Sequence, residues 1–256
     1  MNNPPLPAEI GLTVVIPARN EEARLPATLA RIAEYASDCG SPVEVLVVDD
    51  GSVDRTLQVT LEAPAPLRAR GIRLDRSSGP GAAVKRGVLE AAGARILICD
   101  ADGPVPFEDL NALHAALDQG AGIAAGSRAL RPHSVLRSQP PHRVLMGKVW
   151  RRLVLVLAPT GVLDTQCGFK LLERRAARHL FERLSEPGFV FHVELLLLAR
   201  RHCVPVVEVP VRWSDGPGSK IRLLSDSTEM LMALLRVAWR HSRRSPLKNE
   251  ELSHAS

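Results

Sequence analysis

The chain has 256 residues, 45% of them hydrophobic, and a formal charge of +5. That length supports one substantial core without requiring two, and the basic balance favours an anionic partner such as a phosphate, a nucleotide, a nucleic acid or an anionic lipid. Cys39, Cys99, Cys167 and Cys203 form no CxxC pair, which argues against a cysteine zinc site and a disulfide framework and points to a reducing, cytoplasmic setting.

In chain order, MNNPPLPAEIG has no basic segment leading into an apolar run, so it is no secretory signal. Residues 1–11 read as a disordered start, 12–244 as one domain and 245–256 as a disordered tail. LTVVIPA (12–18) reads as a buried strand, 21–36 as a helix, VEVLVVDD (43–50) as a second strand with a helix from Val53, and GIRLDR (71–76) as a third strand. A helix over 81–92, a strand ARILICD (94–100), a helix over 107–118 and a strand GIAAGSR (122–128) follow. This β-α-β-α rhythm predicts an α/β domain with a mostly parallel sheet flanked by helices. Beyond it come a polar loop (131–143), helices over 144–158, 173–184 and 190–202, a proline-bearing strand at a sheet edge (204–213), a loop (214–220) and a last helix (225–241). The longest apolar runs, LVLVLAPTGVL (153–163) and VELLLLA (193–199), fall short of the roughly 18–20 residues that span a bilayer.

Ligands of open parallel sheets sit beyond the carboxyl ends of the strands. Here those ends carry PARNEE, DDGSVD, DADG and GSR, four polar clusters at one predicted edge. SSGPGAAVKRG (77–87) fits only two glycines of a dinucleotide fingerprint, because Val84 holds the third position and the segment follows the third strand. No GxxxxGK[ST], HExxH or HxE…PCxxC occurs. Asp100 and Asp102, one residue apart at a strand end, suit a hard cation, Mg2+ or Mn2+, that would also bind a nucleotide diphosphate. The bland alternative is a surface turn in which Asp102 caps the next helix.

VVIPARNEE (14–22), VLVVDDGSVDRT (45–56), GPGAAVKRG (79–87) and ILICDADG (96–103), in this order, resemble the family 2 glycosyltransferases with the GT-A, Rossmann-like fold. GSR (126–128), DTQCGFK (164–170), FVFHVELL (189–196) and VPVRWSDGPGSK (209–220) are similar to the polyprenyl-phosphate enzymes of that family, in the dolichyl-phosphate β-glucosyltransferase branch. Gly103 and Pro104 stand where the mannosyl branch carries a Gln, leaving a third metal ligand unassigned. The resemblance implies that Pro17, Ala18, Arg19 and Glu21 lie along the nucleoside. Asp49 or Asp50 would also meet it, and Lys85 would reach the diphosphate or base edge. Asp100, Ala101 and Asp102 would frame ribose and metal, with Asp102 the better ligand, and Asp164 would sit beside the donor sugar. Arg128, Arg143, Arg212 and Lys220 would hold the acceptor phosphate or the leaving diphosphate. Asp102, Asp164 and Arg128 are the expected catalytic residues. Asp49 as a plain helix cap and Arg143 as a solvated loop residue are the alternatives, and Trp213 and His192 read as packed residues rather than as a sugar platform and a base.

The implied reaction is inverting transfer of a hexose, glucose from UDP-glucose, to a polyprenyl phosphate. A hydroxyl acceptor would need a carboxylate base, with Glu194 available in sequence, whereas a phosphate is already anionic and needs cations. Residues 126–152 contain seven arginines and lysines and no acidic side chain, which favours the phosphate. MGKVWRRLVLVLAP (146–159) and MLMALLRVAWRHSRR (230–244) have the composition of interfacial helices as well as of core helices, so an anionic membrane surface is an expected partner of a peripheral protein. The alternatives are a soluble family 2 enzyme with a small hydroxyl or phosphorylated acceptor, GDP-mannose as donor, or a nucleotide-sugar-binding scaffold. Nucleic acid is not expected as a partner, since 4% aromatic residues and no recognised module argue against it. Val209 stands where the QxxRW motif of processive synthases has Gln.

Overall fold

The computed structural model describes residues 10–40, 42–130, 135–137, 141–214 and 225–242, with side chains except those of 135–137, 141–143 and 225–227. Residues 1–9 and the expected tail therefore lie outside the described residues. The first half alternates strands β1 (Leu12–Ala18), β2 (Val43–Asp49), β3 (Arg68–Arg73), β4 (Arg95–Ile98) and β5 (Ile123–Ser127) with helices α1 (Leu25–Cys39), α2 (Thr56–Leu61), α3 (Pro80–Glu90) and α4 (Leu110–Asp118). Then come β6 (Val135–Arg137), α5 (Pro141–Leu157), β7 (Lys170–Glu173), α6 (Arg174–Arg183), α7 (Phe191–Arg201), β8 (Val206–Pro210), β9 (Trp213–Ser214) and α8 (Ser225–Ser242). Seven strands form one sheet in the order β3-β2-β1-β4-β7-β5-β8, while β6 and β9 pair separately.

Strand alternation sends successive side chains to opposite faces. Val14, Ile16, Val45, Val47 and Leu97 join the core under α1 and α4, while Val15, Leu46, Val48, Ile96 and Ile98 join the core under α3, α6 and α7. A third cluster lies between α5, α7 and α8, centred on Val154, Val193, Leu234 and Val237. No helix among the described residues is long and apolar enough to cross a membrane.

Three boundaries move for visible reasons. α1 starts at Leu25 rather than at residue 21 because the Arg24 and Leu25 amides close a turn on the Glu21 carbonyl. α2 starts at Thr56 rather than Val53 because the preceding loop folds back, with Val53 N donating to Asn20 Oδ1 and Arg55 N to Glu22 Oε2. β3 sits earlier than expected, over the arginine-rich edge segment RARGIR.

The larger difference is β7. Its four residues were not expected as a strand, yet they lie mid-sheet, antiparallel to β4 and to β5. The direction matters for the site. β1, β2, β4, β5 and β8 all run the same way, so only a reversed strand brings the residues that precede it, 164–169, to their carboxyl edge. The proline-bearing strand is at the sheet edge, as β8, beside β5.

A central β7 should be costly to erode. Leu171→Ala, at a fully buried position, should destabilise the protein by about 2–5 kcal/mol. Val207→Ala, on the exposed side of edge strand β8, should stay within about 0.5 kcal/mol. Urea unfolding of the two variants checks this, and equal costs would contradict the topology.

Candidate functional site

The carboxyl edge is assembled from loops that hold one another. After β1, Asn20 N donates to Ser52 Oγ at 2.9 Å and Glu21 N to Thr56 Oγ1 at 2.8 Å, so the PARNEE and DDGSVD segments are zipped together. Pro17 and Ala18 form the end of β1, Arg19 is exposed and Glu21 is buried. Asp49 is fully buried, and its Oδ1 accepts the Ser52 amide at 2.8 Å. Asp49 is thus the cap of its own loop, yet its Oδ2 has no hydrogen-bond partner among the described residues, with Arg73 Nε 3.8 Å away. Asp50 accepts the amides of Ser78 at 2.6 Å and Gly79 at 3.0 Å, which pins the entry to α3.

Asp100 and Asp102 follow β4 in a tight turn closed by Gly103 N on the Asp100 carbonyl at 3.0 Å. Ala101, between them, accepts Thr28 Oγ1 on its carbonyl at 2.8 Å. Burial and the like charge of Asp102 push the Asp100 carboxyl up to about 6, against the pull of Lys170, Arg128 and Arg24. Arg24 Nη1 donates to Asp102 Oδ2 at 3.0 Å while its Nε reaches Glu21 Oε2 at 2.7 Å. Gly168 lies flush on Asp100, for a Cβ there would fall 2.2 Å from Oδ2. The donor set suits a hard divalent ion. Two oxygen-only side chains repel each other at one turn, and a guanidinium already occupies one of their oxygens. No three His, Cys, Asp or Glu side chains among the described residues group as a metal cage, so any ion would complete its shell with substrate oxygens and water.

Across the edge, Asp164 takes three bonds from Arg128: from its backbone N at 2.9 Å, Nε at 2.7 Å and Nη2 at 2.8 Å. Burial disfavours both charges, but this bidentate pairing outweighs it, lowering the Asp164 pKa and raising that of Arg128. Glu208 on β8 fixes the same turn by accepting the amides of Leu163 at 2.8 Å and Asp164 at 3.0 Å. The Arg128 guanidinium lies 5.4 Å from the Trp213 ring centroid, and Trp213 packs on the core. Behind the edge, Lys170 is fully buried, its Nζ donating to the carbonyls of Thr165, at 3.1 Å, and Cys167. His192 faces it with Nδ1 at 3.4 Å, and burial, Lys170 and Arg128 hold its imidazole neutral. Cys99 and Cys167 are buried here too, and burial followed by neighbouring carboxylates pushes both thiols up. Ser127 Oγ and Gln166 Nε2, like Asp49 Oδ2, are buried without a partner among the described residues. Such orphans on three segments of one edge mark a place where a ligand or water completes the bonding.

Other expected residues hold different partners or have side chains outside the described residues. Lys85 donates to the Leu184 carbonyl at 2.7 Å, at the C-terminal end of α6. Arg212 is committed to Asp109, with Nε at 2.9 Å, and to Glu108. The side chains of Arg143 and Lys220 are outside the described residues. The glycines of GPG serve packing. Gly81 N donates to the Pro187 carbonyl at 2.7 Å, and a Cβ at Gly81 would lie 2.5 Å from the Glu186 carbonyl oxygen. Glu194, the sequence candidate for a base, is sealed in. Its Oε2 accepts the amides of Ser185 and Glu186, and its Oε1 meets Arg240 Nη1 at 2.8 Å and His241 Nε2 at 3.2 Å. Sequence reasoning gave no role to Arg24, Lys170 or Glu208. The one available signal was the lysine directly following GF in DTQCGFK.

Burial alone would raise the Glu194 pKa, but bonds from His241, the two amides and Arg240 hold it at about 2, below the ordinary 4.5. A depressed carboxylate stabilises the fold above its ordinary value and loses that contribution as pH falls toward its folded value. The stability deficit of Glu194→Gln should therefore be full above pH 4.5 and narrow toward pH 2. Urea midpoints across that range read it, and a deficit independent of pH would contradict the ion cluster.

Comparison with known proteins agrees with this geometry. The family model described as Glycosyl transferase family 2 matches residues 13–181, from β1 into α6. A dolichyl-phosphate beta-glucosyltransferase of Drosophila melanogaster is 39% identical over 224 residues, covering 82% of this chain and 69% of the relative. Its Mus musculus counterpart is 38% identical with the same coverage. A Mycobacterium tuberculosis glucosyl-3-phosphoglycerate synthase, solved with Mn2+ and UDP-glucose, superposes with a TM-score of 0.65 at 19% identity, covering 90% of this chain and 79% of that one, a likeness of GT-A fold. With the family match spanning the carboxyl-edge loops themselves, this chain belongs to glycosyl transferase family 2.

Proposed function

We propose that the protein transfers glucose from UDP-glucose to a polyprenyl phosphate of the dolichyl type, with inversion at the anomeric carbon. The names of its relatives support glucose as the sugar and dolichyl phosphate as the acceptor, and UDP as the carrier is part of the proposal. The observation that carries the acceptor assignment is the state of the carboxylates. Asp164 is locked on Arg128, and Glu194 is sealed among two amides, an arginine and a histidine. Neither is placed to take a proton from a hydroxyl, and Asp100 and Asp102 are assigned to the metal, whereas a phosphate monoester arrives already ionised.

On this reading an acceptor phosphate oxygen attacks the anomeric carbon from the face opposite the diphosphate. The bond from that carbon to the diphosphate breaks with its electron pair, and no proton moves. Asp49 Oδ2 is assigned to accept an N–H from the nucleoside, with Pro17, Ala18, Arg19 and Glu21, on the neighbouring β1 strand and its loop, assigned to the same subsite. A divalent ion held by Asp102 and Asp100 would, when bound, offset the charge that develops on the leaving diphosphate. Asp164 orients Arg128 through Nε and Nη2, and the remaining Nη1 is assigned to the acceptor phosphate, with Arg143 and Lys220 as further cations. Arg212 enters this role only if it leaves Asp109.

The lipid needs a surface. α5 exposes Leu145, Val149 and Val156 beside Lys148, Arg151 and Arg152, and α8 exposes Leu231, Met232 and Trp239 beside Arg236, while their inner faces fill the third cluster. That combination suits a peripheral seat on an anionic bilayer.

Purified protein incubated with radiolabelled UDP-glucose and polyprenyl phosphate should move label into the organic phase. Label reaching only water-soluble products would overturn the lipid reading. Arg128→Ala, which removes a charge-assisted phosphate contact, should lower the rate about ten- to a hundredfold. Gly168→Ala should displace Asp100 and weaken Mn2+-dependent nucleotide binding about tenfold or more by calorimetry, with the fold retained. Unchanged affinity in that variant would remove Asp100 from the metal site. Sedimentation with anionic vesicles should fall as salt rises.

A further inference from the structure

We infer that Glu194 is a positioning residue that ties the last turn of α8 to the donor-side loops. The links are hydrogen bonds joined by stretches of one to three residues. Arg240 Nη1 donates to Glu194 Oε1 at 2.8 Å, and His241 Nε2 lies 3.2 Å from the same oxygen. The other oxygen of Glu194 accepts the amides of Ser185 at 2.8 Å and Glu186 at 2.6 Å. Those residues begin the 185–188 turn that joins α6 to α7. The next carbonyl, that of Pro187, accepts the amides of Gly81 at 2.7 Å and Ala82 at 3.2 Å in the first turn of α3. The residues just ahead of that turn, Ser78 and Gly79, are the ones Asp50 holds, next to the buried Asp49.

The contacts leave little slack. A Cβ at Gly79 would lie 2.5 Å from the Pro187 carbonyl oxygen, so the two loops touch along their backbones and a shift of one moves the other. Lys85 adds a second tie through the Leu184 carbonyl, just ahead of that turn. Glu194 itself is almost fully enclosed, and a buried carboxylate stripped of its cation is costly enough to rearrange its neighbours. The opposite face of α8 carries the exposed apolar residues assigned above to the lipid surface, so the relay joins the acceptor end of the molecule to the nucleoside end.

The kinetic part of this inference rests on the proposed donor, and the exchange part does not. The full-length wild type, Arg240→Ala, Arg240→Lys and Glu194→Gln are compared for the KM and kcat of UDP-glucose, and without ligand for backbone hydrogen exchange in peptides covering 77–82 and 185–188. Arg240→Ala should raise the donor KM about fivefold or more with kcat within about threefold, and should speed exchange in both peptides. Arg240→Lys, which keeps a cation, should recover most of both effects. If Glu194→Gln fails to fold, the Arg240 pair still decides the matter. Variants that unfold at lower temperature but keep wild-type KM and wild-type exchange over 77–82 would reduce Glu194 to a helix-packing residue and overturn the relay. A wild type that does not turn over UDP-glucose would instead count against the donor, leaving the exchange result to stand by itself.

Discussion

An ammonium group inside the sheet is what the carboxyl edge is built around. Lys170 sits on β7 between two strands of apolar residues, with no exposed surface. Burial lowers its pKa, while the fields of Asp164 and Asp100 act the other way and its Nζ donates to the carbonyls of Thr165 and Cys167. Those same carbonyls belong to the turn that carries Asp164 to Arg128 and sets Gly168 against Asp100. The lysine thus folds the turn, and the turn in turn shapes both sides of the cleft.

Charge at this edge is arranged in opposed pairs rather than as a single field. Asp102 faces Arg24, Asp164 faces Arg128, and Asp100 lies in the fields of Lys170, Arg128 and Arg24. Asp102 and Asp164 each meet an arginine before any ligand arrives, while burial and the charge of Asp102 leave Asp100 with a raised pKa. The arrangement also separates tasks. The β1 and β2 loops are stitched by backbone amides donating to side-chain oxygens, while the β5 and pre-β7 segments carry the cation suited to a phosphate.

The sequence made the parallel half of the fold readable because its strands are runs of β-branched and aliphatic residues that end abruptly in polar groups. Asp100 and Asp102 stood out for the same reason. β7 did not, since four residues with a leading lysine look like the start of the following helix, and the carbonyls that make the lysine tolerable come from a turn that no periodicity predicts. Arg24 was hidden in a helical pattern although it caps the end of a turn and reaches a strand end 78 positions away. The fate of Glu194 was illegible for a related reason. Its partner Arg240 is 46 positions distant, and whether a carboxylate serves as a base or as a latch depends on which donors meet it. Lys85 and Arg212 were assigned by position in a motif, and their partners, the Leu184 carbonyl and the Asp109 carboxylate, come from distant parts of the chain that no motif reveals.

The placement of the four thiols has a practical side. Cys99 and Cys167 lie under the carboxylate turn, and burial with adjacent negative charge keeps them protonated, the form in which sulfur reacts slowly with electrophiles. Cys39 at the end of α1 and Cys203 just after α7 are exposed, and neither flanks the cleft loops. Alkylating reagents and mild oxidants therefore land first on two outlying positions. A fluorophore or spin label attached there would report on the protein without touching its chemistry, and the cleft keeps its own sulfurs out of reach of the same reagents.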